Sequence, residues 1–477
     1  MGRRPWARAV AVVLVAGIVA TACGGAMATP TSTAASAATP WPTNSPSPSQ
    51  ATSPSPIGSP AEFEIAMGKA GLLDSAADNG LRAGTEINDF GFDLLRRLDT
   101  SGNLCASPTS IALALAMVRP GARGVTATEM DKVLHEFGST GQADEIVALL
   151  KALQSQTVYD DSNFYSDDPQ ATPDHSTQSP AVELNVSNAV FSQKGMNLQQ
   201  AYLESLSSGF GAGLGLLDYK TDPEAARQII NRWASDRTPG RIPEILKPGD
   251  IKTKTRIALA NAIYLKAGWT FPFDPTTTKS LPFTRADGSR ASVQTMAMDR
   301  QLSYSTAKGY RAVQLPFGGG RSSLSMTIVV PDDMTSFVKG LTEAKLGSID
   351  SQGKAYDVDL TLPRFSAESR IELSSVLKAM GMPTLFSGQA DLSGITTDEK
   401  LYIDRVIHQA NIDVVEEGTT ASAVTVAVGA TMGGGLDESP PPHVQFHVDK
   451  PFLYFIREQS TGAILFMGRI DDPSVKS

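Results

Sequence analysis

The spacing of apolar residues changes along the chain from helical repeats to strand-like runs. Phe90, Leu94 and Leu98 recur at the spacing that places them on one face of a helix. The dense apolar run at 111–118 predicts a helix that is buried on all sides. Strand-like apolar runs follow at 257–265, 324–330, 358–362, 402–415, 451–456 and 463–467. These signals follow one another without a linker-like break, so they predict one large domain of the α+β class.

The first residues have the pattern of an export signal. Arg3, Arg4 and Arg8 precede an apolar stretch at 9–20 that is too short to span a bilayer. The stretch leads into Ala-Thr-Ala-Cys-Gly at 20–24, which resembles a bacterial lipoprotein cleavage box. We therefore predict a signal peptide at 1–23 and lipidation of Cys23. Ordinary cleavage one residue earlier is the alternative, and the export route, Sec or twin-arginine, stays open.

Two segments of low complexity interrupt or precede the periodic part. Residues 24–61 contain no charged side chain and consist mainly of Ser, Thr, Ala and Pro, which predicts a disordered tether. Residues 154–180 contain five Asp and no Lys or Arg, which predicts a polar surface insertion. The folded domain is accordingly expected at 62–477.

Charge and chemistry narrow the function further. A formal charge of −9 argues against a nucleic-acid partner, because such a partner requires clustered Lys and Arg. The sequence contains no Gly-x-Ser-x-Gly elbow, His-Glu-x-x-His motif or Walker loop, and its five histidines have no metal-ligand spacing. Three Ser-x-x-Lys matches lack a Lys-Thr-Gly partner. We therefore expect no enzymatic activity, no metal and no cofactor.

An unusual stretch occupies 416–442. No charged residue occurs from 419 to 436, and the segment ends in three Gly followed by Asp-Glu-Ser-Pro-Pro-Pro. At strand spacing one face carries only Thr and Ala between 419 and 427, whereas the other carries Val424, Val426 and Val428. Taken alone, this stretch is compatible with an ordinary internal strand or with strand-competent sequence placed on a loop.

Several ordered motifs resemble those of the serpin family across nearly the whole globular part. They are Ser-Pro-Thr-Ser-Ile at 107–111, Gly-Ala-Arg-Gly at 121–124, Asn-Arg-Trp at 231–233, Thr-Pro-Gly-Arg-Ile at 238–242, Asn-Ala-Ile-Tyr-Leu-Lys-Ala-Gly-Trp at 261–269 and Asp-Lys-Pro-Phe-Leu-Tyr-Phe-Ile at 449–456. His-Gln-Ala at 408–410, followed by Glu-Glu-Gly-Thr at 416–419, is similar to the strand that leads into the family's reactive-centre loop.

The resemblance implies a serpin fold with three β-sheets, about eight to nine helices and an exposed reactive-centre loop at 416–442. It also implies an irreversible suicide-substrate inhibitor of serine proteases. The protease forms an acyl-enzyme, and the cut loop then inserts into the main sheet. The residues expected to act as the loop hinge are Glu416, Glu417, Gly418, Thr419, Thr420, Ala421, Ser422 and Ala423.

Family spacing from Glu416 places the reactive bond at Met432-Gly433, with Thr431 and Leu436 as alternatives. No Lys or Arg occurs between 418 and 449, so a trypsin-like pocket finds no cation to pair with. The expected partner is an elastase-, subtilisin- or chymotrypsin-like protease, held in a covalent complex.

The resemblance assigns a conformational role to a set of polar and aromatic residues beneath and beside the opening of the main sheet. This sheet-opening cluster consists of Ser107, Ser110, Asn261, His408 and Trp269. Cys105 is expected to be a buried free thiol. The protein is expected to be a monomer, either anchored to the extracellular face of a bacterial membrane through Cys23 or secreted. The alternative function is that of a non-inhibitory serpin, acting as a binding or chaperone-like surface protein.

Overall fold

The computed structural model describes residues 63–69, 80–98, 102–157, 182–320, 322–419 and 440–475. These lie in the compact unit Ala61–Ser477. The helices are α1 Gly80–Leu95, α2 Pro108–Val118, α3 Gly124–Val133, α4 Ala143–Gln154, α5 Gln200–Phe210, α6 Pro223–Arg237, α7 Met334–Lys339, α8 Glu343–Ser351 and α9 Ser374–Met380.

Strands predominate after α6. They are β1 Glu64–Ala66, β2 Leu104–Ala106, β3 Val182–Gln193, β4 Leu214–Leu217, β5 Ile257–Gly268, β6 Lys279–Thr284, β7 Arg290–Ala307, β8 Tyr310–Pro316, β9 Leu324–Pro331, β10 Lys354–Pro363, β11 Phe365–Glu372, β12 Ile407–Val415, β13 Gly418–Thr419, β14 His443–His447, β15 Phe452–Glu458 and β16 Ile464–Ile470.

Helix α2 lies at the centre of the core, as its dense apolar run predicts. Ser107 caps it, since its hydroxyl accepts a hydrogen bond from the Ser110 backbone N–H at 3.2 Å. Pro108 occupies the first turn, where no backbone N–H is needed. Every residue of the helix is buried. The cap therefore also buries Ser107 and Ser110, which places two hydroxyl groups inside the protein.

The main sheet has seven strands in the order β1-β4-β3-β5-β13-β12-β11. Its central strand β5 is buried on both faces. Ile257, Leu259, Ile263 and Leu265 join the large core that contains α2. The alternate residues Ala258, Ala260 and Ala262 join a smaller cluster with Ile230 of α6. A helix therefore covers each face of the sheet, and the residues facing α6 are uniformly small.

The second sheet has nine strands, and the predicted α+β class is confirmed. The 18-residue strand β7 pairs with β6 near its start, with β10 along its middle and with β8 at its end. Because one strand serves all three ladders, the two smaller sheets expected from the resemblance form one continuous hydrogen-bonded sheet. The nine helices of the described residues agree with the expected number.

Candidate functional site

The two central strands of the main sheet run parallel but pair directly at one point only. Within the described residues, β5 and β12 share a single bridge, between Leu259 and Val406. At the other end of the sheet the two-residue strand β13 lies between them and is antiparallel to both. Thr419 is the register partner of Ala267 on one side and Val414 on the other. The strands thus leave room for one additional strand, which β13 begins.

The side chain of Thr419 is held inside the sheet. The residue is only 1% exposed, and its hydroxyl accepts a hydrogen bond from the Ala267 backbone N–H at 3.1 Å. A neutral, short side chain fits this position. A guanidinium group would have to leave water with no acidic partner among the described contacts of this residue.

Glycine is required next to Thr419. Gly418 has φ +147°, and a Cβ added there would lie 2.0 Å from the carbonyl oxygen of Ala267 and 2.8 Å from the Cα of Gly268. Both atoms belong to the backbone of β5, so they cannot move aside as a flexible side chain would. The close approach of β13 to β5 therefore depends on the missing side chain.

Glu416 anchors the start of the hinge. It is 2% exposed, and its carboxylate accepts hydrogen bonds from Arg364 Nε at 2.8 Å to each oxygen. The Thr278 hydroxyl also donates to Oε1 of Glu416. Burial by itself raises the pKa of Glu416, but the hydrogen bonds from Arg364 and Thr278 outweigh it and leave the pKa below its usual value. The carboxylate is therefore ionised and fixed.

Trp269 lies at this same end of the sheet. Its ring stacks on Phe317 at 4.4 Å between centroids, and its indole N–H donates to the Val415 carbonyl at 3.0 Å. Its backbone N–H donates to the carbonyl of Glu417 at 2.9 Å. The tryptophan thus contacts both the end of β12 and the hinge, as a rigid wall beside β13.

A row of hydrogen-bonded polar groups crosses the opening farther along the sheet. Oδ1 of Asn261, on β5, lies 2.8 Å from Nδ1 of His408, on β12. The backbone N–H of Ser107, at the start of α2, donates to Nε2 of His408 at 3.0 Å. We call Ser107, Asn261 and His408, together with Asn188 on β3 opposite Asn261, the polar row. It joins β3, β5, β12 and α2 at one level of the sheet.

These contacts determine the state of His408. Because Nε2 accepts a hydrogen bond, it carries no proton, and Nδ1 must then carry one in order to donate to Asn261. The imidazole is fully buried, and burial lowers its pKa to about 3. His408 is therefore a neutral hydrogen-bonding group, and the hydroxyl of Ser107, the serine of the polar row, caps α2.

The row retains unused hydrogen-bonding capacity. Within the described residues, the buried atoms Nδ2 of Asn261, Oδ1 of Asn188 and Oγ of Ser110 have no partner. An unpaired buried donor or acceptor costs free energy, about 1–3 kcal/mol each. The opening between β5 and β12 is thus lined by groups that a further polar side chain could satisfy.

The structure separates the predicted sheet-opening cluster into two groups. Ser107, Asn261 and His408 are in hydrogen-bonding contact, with Ser110 next to them on α2. Trp269 is eight residues from Asn261 along β5 and belongs with the hinge instead. Of the hinge, residues 416–419 are described. The remaining predicted site residues lie outside the described residues: Thr420, Ala421, Ser422, Ala423, Thr431, Met432, Gly433, Leu436 and Cys23.

Three contacts of the site carry no signal in the sequence. Arg364 and Thr278 bind Glu416 from positions 52 and 138 residues away, and neither occurs in a motif. Asn188 is placed beside Asn261 only by the register of β3 on β5. The strand pattern alone could have indicated that Asn188 interrupts an otherwise apolar inward face.

The described part of the chain offers little for other chemistry. It contains no cluster of His, Cys, Asp or Glu arranged to hold a metal ion, and no helix long and apolar enough to cross a membrane. Cys105 is a buried free thiol, as predicted, and burial raises its pKa to about 12.

Comparison with known proteins identifies the family to which this chain belongs. The family model for serpins, the serine protease inhibitors, matches residues 85–473. The chain belongs to the serpin family, whose members as a class are inhibitors of serine proteases rather than enzymes.

Individual relatives and structures agree with this assignment. The chain is 34% identical to the leukocyte elastase inhibitor of Xenopus tropicalis over 397 residues, which is 80% of this chain and 97% of that protein. It is 32% identical to human serpin B4 over 393 residues, with the same coverage of each chain. Among solved structures, the native thermophilic serpin tengpin superposes with a TM-score of 0.70 at 23% identity and covers 85% of this chain and 97% of its own. Human thyroxine-binding globulin superposes with a TM-score of 0.68 at 26% identity, and the match covers 83% of this chain and 100% of that protein.

The contact geometry of Gly418 yields a stability prediction. We expect Gly418→Ala to displace β13 from β5, because the new Cβ cannot coexist with the Ala267 carbonyl. The free energy of unfolding should fall by about 1–3 kcal/mol. Urea unfolding followed by tryptophan fluorescence measures this, since Trp269 bonds to the same segment.

Gly388→Ala is the matched control, because a Cβ at Gly388 meets no atom within 4 Å. Equal stability of the Gly418→Ala and Gly388→Ala variants would contradict the close approach of β13 to β5.

The buried neutral imidazole yields a pH prediction. His408 has a pKa of about 3 when folded and 6.5 when unfolded, so between these values the unfolded chain binds more protons. The free energy of unfolding must then fall as the pH is lowered through this window, by up to about 1.4 kcal/mol per pH unit. We expect His408→Gln to be less stable than the wild type at neutral pH. Its free energy of unfolding should also fall less steeply than that of the wild type as the pH is lowered from about 6.5 to 5. Urea titrations at several pH values measure this free energy. The same dependence on pH in the variant and the wild type would show that His408 is not buried in the neutral form.

Proposed function

We propose that the protein is an irreversible suicide-substrate inhibitor of serine proteases. The observation that carries this proposal is β13, a short strand placed between two parallel strands that are otherwise open to each other. In this mechanism the protease serine attacks the carbonyl of Met432 and forms an acyl-enzyme, while the amine of Gly433 leaves. The freed loop then lengthens β13 and carries the attached protease along the sheet.

Extension of β13 by the loop would fill the opening between β5 and β12 in the register that β13 already has on both strands. From Thr419, each residue added to β13 moves one position back along both β5 and β12. Residue 427 would reach the level of Leu259 and Val406, which are the two residues that pair directly now. On both flanking strands, the bridge therefore lies eight positions beyond the present end of β13.

The same register matches the two faces of the loop to the two faces of the sheet. Val424, Val426 and Val428 would lie beside Ala262, Ala260 and Ala258, whose small side chains face α6. Each valine gains about 1.5–3 kcal/mol on full burial, whereas a ladder hydrogen bond gains about 0.5–1.5 kcal/mol net. Since fixing each residue costs about 1–2 kcal/mol, burial of the valines decides whether insertion is favourable.

The polar row falls at one defined loop residue. Thr425 is six residues beyond Thr419, so it would arrive at Asn261 on β5 and His408 on β12. The Asn261–His408 contact at 2.8 Å must part to admit it. The Thr425 hydroxyl can then accept from Nδ2 of Asn261, which has no partner among the described residues. The row therefore favours a hydroxyl-bearing residue at position 425.

The proposed target is an elastase-, subtilisin- or chymotrypsin-like protease. The uncharged loop supports this choice, and so does the resemblance to a relative named for its inhibition of leukocyte elastase. The alternative is a non-inhibitory binding protein, for which thyroxine-binding globulin provides a structural precedent. The small hinge residues and the match of loop to opening favour the inhibitor.

We further propose that the protein is exported and attached to a membrane through lipid on Cys23. The basic end, the short apolar stretch and the Cys-containing box support this proposal. Secretion after ordinary signal cleavage is the competing location.

The inhibitor proposal predicts a covalent complex. When the domain from Glu62 is mixed with elastase, subtilisin or chymotrypsin, we expect a band that survives denaturing electrophoresis and a released peptide beginning at Gly433. Trypsin should form none. We expect Thr419→Arg to be cleaved as a substrate without forming a complex, because its charge must enter the buried position that the Thr419 hydroxyl occupies. Mass spectrometry of the released peptide identifies the bond.

Thr419→Ser is the matched control and should retain the complex, because it keeps a small hydroxyl at that position. A stable complex with Thr419→Arg would contradict the proposed insertion, and cleavage without a complex by every protease would favour the non-inhibitory alternative.

The lipidation proposal predicts metabolic labelling. In a bacterial host fed a clickable fatty acid, we expect the full-length chain to incorporate label and to fractionate with membranes. Cys23→Ser should abolish the label while leaving the protein exported. Cys105→Ser is the control and should be labelled normally, since the Cys105 thiol is buried. Unlabelled wild-type protein in the medium would contradict anchoring.

A further inference from the structure

A cavity of about 700 Å³ at the end of the main sheet farthest from β13 is lined by four cations. It lies between the segment that leads into β5 and the segment that leads into β12. Its cations are Lys252, Lys254, Arg256 and Lys400, and its acids are Glu399 and Asp404. We call this group, with the adjacent Tyr402, the basic pole. It plays no part in the hinge or the polar row.

Glu399, one of the two acids of the basic pole, is already paired with cations. Arg256 donates to Glu399 at 2.9 Å, and Lys220 lies 3.7 Å from the same carboxylate. Lys252, Lys254 and Lys400 are exposed and form no ion pair with any residue that the structure describes. A protein with a net charge of −9 therefore presents a local excess of positive charge at this end.

An exposed aromatic ring accompanies the lysines. Tyr402 is 43% exposed, whereas its neighbours Leu401 and Ile403 are buried at 3% and 1%. These buried neighbours fix the segment, so the Tyr402 ring is held at the surface beside Lys400. Tyrosine and lysine together are the composition that proteins use at a membrane–water interface, since the ring suits the headgroup level and the ammonium groups attract anionic lipid.

The folded chain starts at this same end of the sheet. Glu64 pairs with Leu216, Leu216 with Ser192, and Ser192 with Ile257, which follows Arg256. Three strand spacings separate Glu64 from Ile257, about 14 Å. Strand β1, the first described element of the domain, thus lies close to the basic pole. Ala267, the partner of Thr419, is ten residues farther along β5, about 33 Å away.

We propose that the basic pole docks on an anionic lipid surface and orients the domain with its hinge directed away from the membrane. Lys252, Lys254 and Lys400 contact lipid phosphates, and the Tyr402 ring enters the headgroup layer. The docking requires no acyl chain. Its success or failure is therefore separate from that of the inhibitor and lipidation proposals.

Vesicle binding by the domain from Glu62 tests the docking. This segment contains a complete folding unit, because the relatives match it over 97% of their own length. We expect it to sediment with vesicles of phosphatidylglycerol and phosphatidylcholine in equal parts and not with phosphatidylcholine alone. Binding should weaken with added salt. The triple variant Lys252→Gln, Lys254→Gln, Lys400→Gln should bind at least about tenfold more weakly, and Tyr402→Ala should also bind more weakly.

The matched control is Lys308→Gln, Lys339→Gln, Lys354→Gln, which removes the same charge from exposed lysines outside the main sheet and should change binding by less than about twofold. Bound domain should still form its protease complex at an unchanged rate, because the hinge faces away. Three results would overturn the proposal: no binding to the anionic vesicles, equal losses in both triple variants, or binding to soluble polyglutamate without binding to vesicles.

Discussion

The structure depends on an incomplete pairing between two parallel strands at the centre of the main sheet. In the part of the chain that the structure describes, β5 and β12 pair directly only at Leu259 and Val406, and β13 separates them at the opposite end. Between these points a side-chain hydrogen bond, from His408 to Asn261, takes the place of a ladder. A sheet with unpaired backbone edges in its interior is less stable than the same sheet completed by one strand. On the mechanism proposed above, this difference in free energy is what an inserting strand of matching sequence would release.

In the proposed mechanism, the residues around the opening would control when that release occurs. Glu416, ionised and bound by Arg364, fixes the point at which the hinge leaves β12. Gly418 lets the chain approach β5 closely enough to start a strand. The polar row holds β5 and β12 together ahead of that strand and carries the donor that an arriving hydroxyl needs. The proposal thus assigns these residues to the control of a conformational change, and a catalytic nucleophile is not part of it.

Sequence reasoning reached the fold through ordered motifs, and its limits have physical causes. The predicted strand at 402–415 starts only at Ile407. Leu401 and Ile403 alternate with exposed residues as in a strand, but the Ile403 N–H bonds to the carbonyl of Leu385 in a short 3₁₀ helix and not to a neighbouring strand. The placement of Trp269 apart from the polar row, and the partners of Glu416, depend on strand register over long sequence separations. No local pattern encodes them. The register of β13 is also the basis of the proposal, which no motif suggests, that three valines would lie beside three alanines and Thr425 beside the polar row.

Hydrogen exchange before and after cleavage of the loop tests the central claim most directly. The domain would be cut between 420 and 436 by a protease that it does not trap, and exchange would be followed by mass spectrometry in peptides covering β5 and β12. The account predicts strong new protection in both strands and a large rise in the melting temperature, because the loop completes their ladders. Unchanged exchange in β5 and β12 after complete cleavage would show that the opening does not accept the loop, and would contradict the account.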